Sequence, residues 1–338
     1  MKGKIALEEH IESPDFPATG THNFTDPTYF DDVENRLQEY KLRLEDMDAT
    51  GIETTILSLT QPGVEGITQT KLAIDTAKKM NDHMANFFVK NNPGRFLGFA
   101  AVPLQDPAAA AKELERAVKE LGFVGVLING YTNIGDENTA RYLDEQPVWE
   151  FWAHVQELDV PVYLHPRVPL PNQQRIYQGY EGLLGSAWGF GLETSTHALR
   201  MILSGLFDKY PKLNIILGHL GEALPFTLPR VEHRLRHQRR ATHGKHERPP
   251  MDYLRNNFYL TTSGTFRSQG LLNTILEVGT DRVLFSVDYP YESMRELAPW
   301  FDTCPISEND RLKIGRTNAA KLFKLRAESA AAVSVGRP

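Results

Sequence analysis

The sequence predicts an α/β protein built as a single (β/α)8 TIM barrel with long βα loops. Three observations point there. Eight short apolar runs recur along the chain, and helical patterns separate them. No long structureless linker divides those runs into two units. The first run ends in Glu8, Glu9 and His10, not in the glycine-rich phosphate turn that opens a doubly wound sheet. The length of 338 residues allows two ordinary domains, but also one barrel, for which roughly 250 residues plus insertions is usual. The barrel is expected over residues 1–325, followed by a flexible small-residue tail at 326–338.

The eight runs are KIALE (4–8), ETTILSL (53–59), FLGFAAV (96–102), FVGVLI (123–128), VPVYLH (160–165), LNIILGH (213–219), FYLTTS (258–263) and RVLFSVD (282–288). Most lack polar alternation, as strands buried on both faces of a parallel sheet do. Between them, Ala73, Ala77, Met80, Met84 and Phe87 form one helical stripe. Asp106 followed by Pro107 reads as an N-cap with proline in the first turn, and Leu114, Ala117, Val118 and Leu121 give that helix its apolar face. Residues 146–159 and 268–279 read as helices too. Segments 11–32 and 166–186 read as long loops on the rim where barrel active sites are built.

Composition narrows the partners. With 37 Lys and Arg against 43 Asp and Glu, the net charge of −6 argues against nucleic acid and anionic membranes. The basic stretch 233–250 contains no Phe, Tyr or Trp and reads as a solvated helix end and loop. The one cysteine, Cys304, excludes an internal disulfide and thiolate zinc clusters, and fits a reducing cytoplasm. The chain enters its first strand without a signal-like leader, and no apolar run approaches the roughly 18–20 residues that span a bilayer. A cytoplasmic protein with a small-molecule ligand is expected.

The polar residues that end the runs carry the chemistry. Glu8 and His10 end the first, His165 the fifth, His219 the sixth and Asp288 the eighth. Two residues apart on an extended segment, Glu8 and His10 share a side, and Glu9 points away. In a barrel all these ends meet on one rim. Carboxylate-x-His, His, His and Asp in that order is the donor set of a barrel metallohydrolase. His83, His154 and His197 fall within helical patterns and lack that placement.

This arrangement resembles the amidohydrolase superfamily, with Glu8-x-His10 in place of the usual His-x-His. The fourth run continues into LINGY, with Asn129 and no lysine to bridge two metals, so one metal ion is expected. The motifs GKIALEEH, LGFVGVLINGY, VPVYLHPR, GLFDKYPKLNIILGHLGE, FYLTTSGTF, DRVLFSVDYPYE and KIGRTNAAKLFKL are similar to those of the ACMSD-like ortho-hydroxybenzoate decarboxylases. The γ-resorcylate (2,6-dihydroxybenzoate) branch is the nearest match, from residue 2 to about residue 325. Some fungal relatives carry Ala where this chain has His10.

The resemblance implies a metal-dependent, reversible, non-oxidative carboxy-lyase acting on an ortho-hydroxybenzoate. It implies one divalent ion, zinc or manganese, on Glu8, His10, His165 and Asp288. His219, Glu222 and Asp288 would be catalytic, and Arg230, Asn129 and Phe24 would bind substrate. A homo-oligomer, tetramer or dimer, is implied as well. From the residues alone, Glu222 reads either as a carboxylate orienting His219 or as a first-turn helix residue, and Arg230 either as a substrate ligand or as a surface ion pair. A metal-dependent hydrolase of a lactone or cyclic amide would use the same donors.

Overall fold

The computed structural model describes residues 1–16, 25–239 and 244–325. Eight strands are the staves of a barrel: β1 (Lys4–Ile11), β2 (Ile52–Leu59), β3 (Phe96–Ala100), β4 (Gly125–Asn129), β5 (Val162–His165), β6 (Ile215–Leu217), β7 (Phe258–Thr261) and β8 (Val283–Leu284). They lie in chain order and every pairing is parallel. Each overlaps the apolar run expected to form it, although β1 runs on to Ile11, β2 starts one residue earlier at Ile52 and β4 ends one residue later at Asn129. The ladder of β8 is only two residues long: beyond Leu284 the Phe285 amide donates to the Ile314 carbonyl, and the Ser286 and Val287 amides donate to the Thr262 hydroxyl and the Glu9 carboxylate.

Alternation along the strands divides the core. Ile5, Leu7, Ile56, Phe99, Leu127, Tyr163, Ile216 and Leu284 fill the barrel interior, with Ala319 of the last helix and Phe323 just past its end packed against them. The opposite faces meet the helices in a larger outer layer that includes Ala6, Phe96, Val126, Val162 and Ile215. The helix Pro107–Lys119 starts as expected: the Asp106 carboxylate accepts from the Ala108 and Ala109 amides at 3.0 and 3.1 Å. Such a cap stabilises a helix by about 1 kcal/mol.

The same signature corrects the reading of 11–32 as a loop. Asp26 accepts from Thr28 and Tyr29, Pro27 fills the first turn, and a helix runs Pro27–Gln38. The expected loop at 166–186 contains 3₁₀ turns at Pro171–Tyr177 and Glu181–Leu183. A hairpin of Thr132–Ile134 and Asp136–Arg141 follows β4, a feature the sequence did not announce. The tail at 326–338 lies outside the described residues.

Two local features aim the rim. Ala6 pairs with Thr55 but Glu9 pairs with Leu57, so β1 carries one extra residue, a bulge at Leu7–Glu8. Both amides of that bulge point at one acceptor, Ser286 Oγ, at 3.3 and 2.6 Å. Closure then rests on a bridge from Glu9 to Tyr289, with the His10 amide donating to the Tyr289 carbonyl at 2.7 Å.

Candidate metal centre and active site

The bulge puts Leu7 and Glu8 on the same, inner side of β1, and His10 follows Glu8 by two residues. Ligand atoms of Glu8, His10, His165 and Asp288 lie within 4.8 Å of one another. His10 Nε2 is 3.2 Å from Asp288 Oδ1, and His165 Nε2 is 3.4 Å from Glu8 Oε1. Glu8 and His10 are fully buried, whereas Asp288 and His219 keep 15% and 24% of their side chains exposed. The cluster is therefore open on the side of Asp288 and His219.

Each imidazole is fixed from behind. His10 Nδ1 meets Ser58 Oγ at 3.2 Å, and His165 Nδ1 meets Asn129 Oδ1 at 2.8 Å. Those bonds leave the two Nε2 atoms facing the centre. Glu8 is held by the hydroxyl of Tyr163, which donates to Oε2, and by Thr261 at 3.4 Å. Gly218 makes room for it, since a Cβ there would come within 2.8 Å of Glu8 Oε2.

This donor set fits a divalent cation. Glu8 Oε1 and His10 Nε2 are buried without a hydrogen bond, and lone pairs converge on one point. Two imidazoles with two carboxylates suit zinc or manganese, and hydrogen bonds behind the ligands are what metal sites use to fix tautomers.

The electrostatics divide the rim residues. Burial raises the Glu8 carboxyl above its ordinary value. Burial opposes ionisation of Asp288, but the close approach and charge of His10 and His219 outweigh it and hold Asp288 well below the usual range. For His219 burial disfavours the cation, yet Glu222, Glu8 and Asp288 together push its imidazole well above the ordinary value. His219 Nε2 is 3.5 Å from Asp288 Oδ2, and its Nδ1 is 2.7 Å from Glu222 Oε1.

Glu222 is not a first-turn helix residue. The segment His219–Ala223 is left-handed, with φ of 51° at His219, 56° at Leu220, 52° at Glu222 and 61° at Ala223. The right-handed helix begins only at Leu224. Asp288 sits at φ 81°. Non-glycine residues in this region cost free energy and cluster at functional sites.

Other expected residues fall elsewhere. Asn129 is 2% exposed and lies behind His165, so its contact is with an imidazole. Arg230 is exposed on the helix Leu224–Leu235, outside the cluster. Phe24 lies outside the described residues. Tyr163, Ser58 and Thr261 escaped the sequence reading. Tyr163 had a signal: two residues before His165 on one strand, it must face the same way.

The family model for amidohydrolases matches residues 18–325, a span that begins after Glu8 and His10. A γ-resorcylate decarboxylase of Rhizobium sp. (strain MTP-10005) is 49% identical over 326 residues, covering 96% of this chain and 99% of that protein. Among solved structures, a dihydroxybenzoic acid decarboxylase from Polaromonas sp. JS666, with manganese and the inhibitor 2-nitroresorcinol bound, is 49% identical with a TM-score of 0.92. That likeness covers 97% of this chain and 99% of the other. A 2,6-dihydroxybenzoate decarboxylase complexed with 2,6-dihydroxybenzoate is 48% identical over 96% of this chain and 100% of its own, with a TM-score of 0.91. The chain belongs to the amidohydrolase family and, within it, to the γ-resorcylate decarboxylase group.

Proposed function

We propose that the protein is a divalent-metal-dependent carboxy-lyase that converts 2,6-dihydroxybenzoate to resorcinol and CO2 without oxidation. The observation that carries this is the buried Glu8, His10, His165 and Asp288 cluster with the His219–Glu222 pair at its open side. It stands in a chain 49% identical, over 96% of its length, to a γ-resorcylate decarboxylase.

Glu8, His10, His165 and Asp288 would hold one ion, manganese or zinc. When bound, the ion would fix the carboxylate and ortho-hydroxyl oxygens of the substrate and favour the ionised phenol. Direct loss of CO2 from the ring would leave an aryl carbanion. Protonation of the carboxylate-bearing carbon first avoids that.

The chain's own residues provide the proton. His219 favours its cationic form and stands 3.5 Å from Asp288. In our reading it passes a proton to Asp288, which delivers it to the ring carbon. An Asp288 held well below the usual range is a strong donor once protonated. The carbon–carbon bond then breaks, its electron pair restores the aromatic ring, and CO2 departs. Glu222 orients His219 and supports its charge. The reverse reaction, carboxylation of resorcinol in concentrated bicarbonate, follows from microscopic reversibility.

Turnover in deuterated water tests this. Manganese-loaded enzyme given 2,6-dihydroxybenzoate should release CO2 and resorcinol with one deuterium on the ring. A protein inert to hydroxybenzoates that opens lactones, inserting solvent oxygen into an acid, would be a hydrolase instead.

We also propose that the enzyme works in the cytoplasm as a homo-oligomer. Ile176, Tyr180, Trp188 and Phe226 are 77, 71, 58 and 78% exposed, apolar surface that a second copy would cover. Among the described residues no helix is long and apolar enough to cross a membrane.

A further inference from the structure

Behind His165, on the side away from the cluster, a buried carboxylate has no place in the mechanism above. Glu65 belongs to the short turn Val64–Gly66 that follows β2, and it is 1% exposed. Its Oε2 is 3.5 Å from Asn129 Nδ2. The Leu59 carbonyl is 3.4 Å from the same nitrogen. On its other side the Asn129 amide presents Oδ1 to His165 Nδ1 at 2.8 Å.

We infer that Glu65 is a positioning residue: with the Leu59 carbonyl it fixes which way the Asn129 amide faces, and thereby commits His165 Nε2 to the metal cluster. An asparagine amide has two nearly isosteric orientations. With two acceptors behind it, only the orientation with nitrogen toward Glu65 is bonded. The flipped one would set oxygen against Glu65 and Leu59, and present a donor to His165 Nδ1. His165 would then keep its proton on Nε2 and lose the lone pair a metal needs.

The backbone is built for this contact. Gly63, at φ +59°, stands where a Cβ would come within 2.4 Å of Asn129 Nδ2 and 2.5 Å of Glu65 Oε2. The Glu65 carboxylate reaches the amide only because residue 63 has no side chain. Arg167, 7% exposed and held by the Tyr131 carbonyl and Asn133, lends its positive charge to favour the ionised form of Glu65 against burial. Glu65, Asn129 and His165 therefore form a chain that ends on a metal-facing nitrogen.

The inference rests on the proposed metal role of His165, not on the substrate. The test is therefore Mn2+ affinity of the metal-stripped protein, by competition with a chromogenic chelator, alongside decarboxylation of 2,6-dihydroxybenzoate. Glu65→Met removes the acceptor at similar volume and should weaken Mn2+ binding about 10–100-fold. Glu65→Gln keeps an acceptor oxygen and should bind within a few-fold of the parent. In an Asn129→Ala background, Glu65→Met should add little, because the group it acts through is gone. Unchanged affinity in Glu65→Met would overturn the inference, as would equal loss in the Met and Gln variants, or full additivity with Asn129→Ala. If Glu65→Met does not fold, Glu65→Leu, which also removes the acceptor, decides the same question when measured alone and with Asn129→Ala. A parent that binds Mn2+ as expected yet decarboxylates nothing would refute the proposed reaction and leave this inference standing.

Discussion

Glu9 and Val287 are joined across the seam of the barrel, where the Val287 amide donates to Glu9 Oε1 at 3.1 Å. Val287 immediately precedes Asp288, and Glu9 lies between Glu8 and His10. One hydrogen bond therefore ties together the backbone segments that carry three of the four cluster residues. Arg43 packs over the Tyr289 ring at 4.5 Å beside them and donates to the His10 carbonyl.

Burial pushes the Glu9 carboxyl up to about 8, against the pull of Arg43. At neutral pH it mostly holds a proton, so Gln is a close mimic. Glu9→Gln is expected to change stability by less than about 1 kcal/mol, whereas Glu9→Leu strands the buried Val287 amide and should cost about 3 kcal/mol. Urea unfolding midpoints separate the two.

Metal should act as a stabiliser. Convergent lone pairs on Glu8, His10, His165 and Asp288 are unfavourable without a cation between them. Adding Mn2+ or Zn2+ at 100 times its dissociation constant should stabilise stripped protein by about 2.7 kcal/mol. Glu8→Gln relieves carboxylate crowding, so its metal-free melting temperature should match or exceed the parent's while the response to Mn2+ disappears. Thermal shift with and without ion reads both.

The His219–Glu222 pair should govern chemistry rather than assembly. His219→Asn is expected to lower kcat by about 10²–10⁴-fold, the usual range for a lost acid–base group, with metal content unchanged. Metal analysis and steady-state kinetics on the same sample test this. Normal kcat in that variant would remove His219 from the proton path.

Acid sensitivity has a separate origin in His197, which is fully buried in the helix Gly189–Leu203. Its Nε2 accepts from the Leu143 amide at 2.9 Å, and burial, aided by Arg200, pushes it down to about 3 from 6.5. The unfolded chain takes up a proton below about pH 6.5 while the folded one does not. Stability from this group is therefore complete above that pH and is lost as pH falls toward 3, by about 2 kcal/mol at pH 5. His197→Gln should flatten the fall in unfolding midpoint between pH 7 and pH 5; an equal fall in both proteins would assign it elsewhere.

Much of the site was legible because a barrel gathers strand ends. Glu8, His10, His165, His219 and Asp288 each close an apolar run, and the fold brings such ends to one rim whatever their separation in sequence. Glu65 and Ser286 were illegible for the opposite reason. Glu65 gains meaning only from Asn129, on another strand, and Ser286 meets β1 from 278 positions away. The left-handed turn at 219–223 was hidden too, since His219, Leu220, Glu222 and Ala223 carry no local preference for that conformation, and the bond from the His219 amide to Ser263 Oγ at 3.1 Å comes from a distant strand end. The helix at Pro27 was a signal overlooked, for Asp26–Pro27 repeats the cap read correctly at Asp106–Pro107.

The extra residue in β1 acts as a frameshift in space. Before it, odd-numbered Ile5 and Leu7 face inward and build the floor of the barrel; after it, even-numbered Glu8 and His10 do, and build the site. A strand of unbroken rhythm would have to give one face to both tasks, and would turn either its apolar residues or its ligands toward the helices. Deleting one residue between Ala6 and Glu9 would leave the composition of the chain almost untouched while swapping inside for outside beyond that point. The metal chemistry of this protein thus depends on the parity of a count as much as on the identity of its residues.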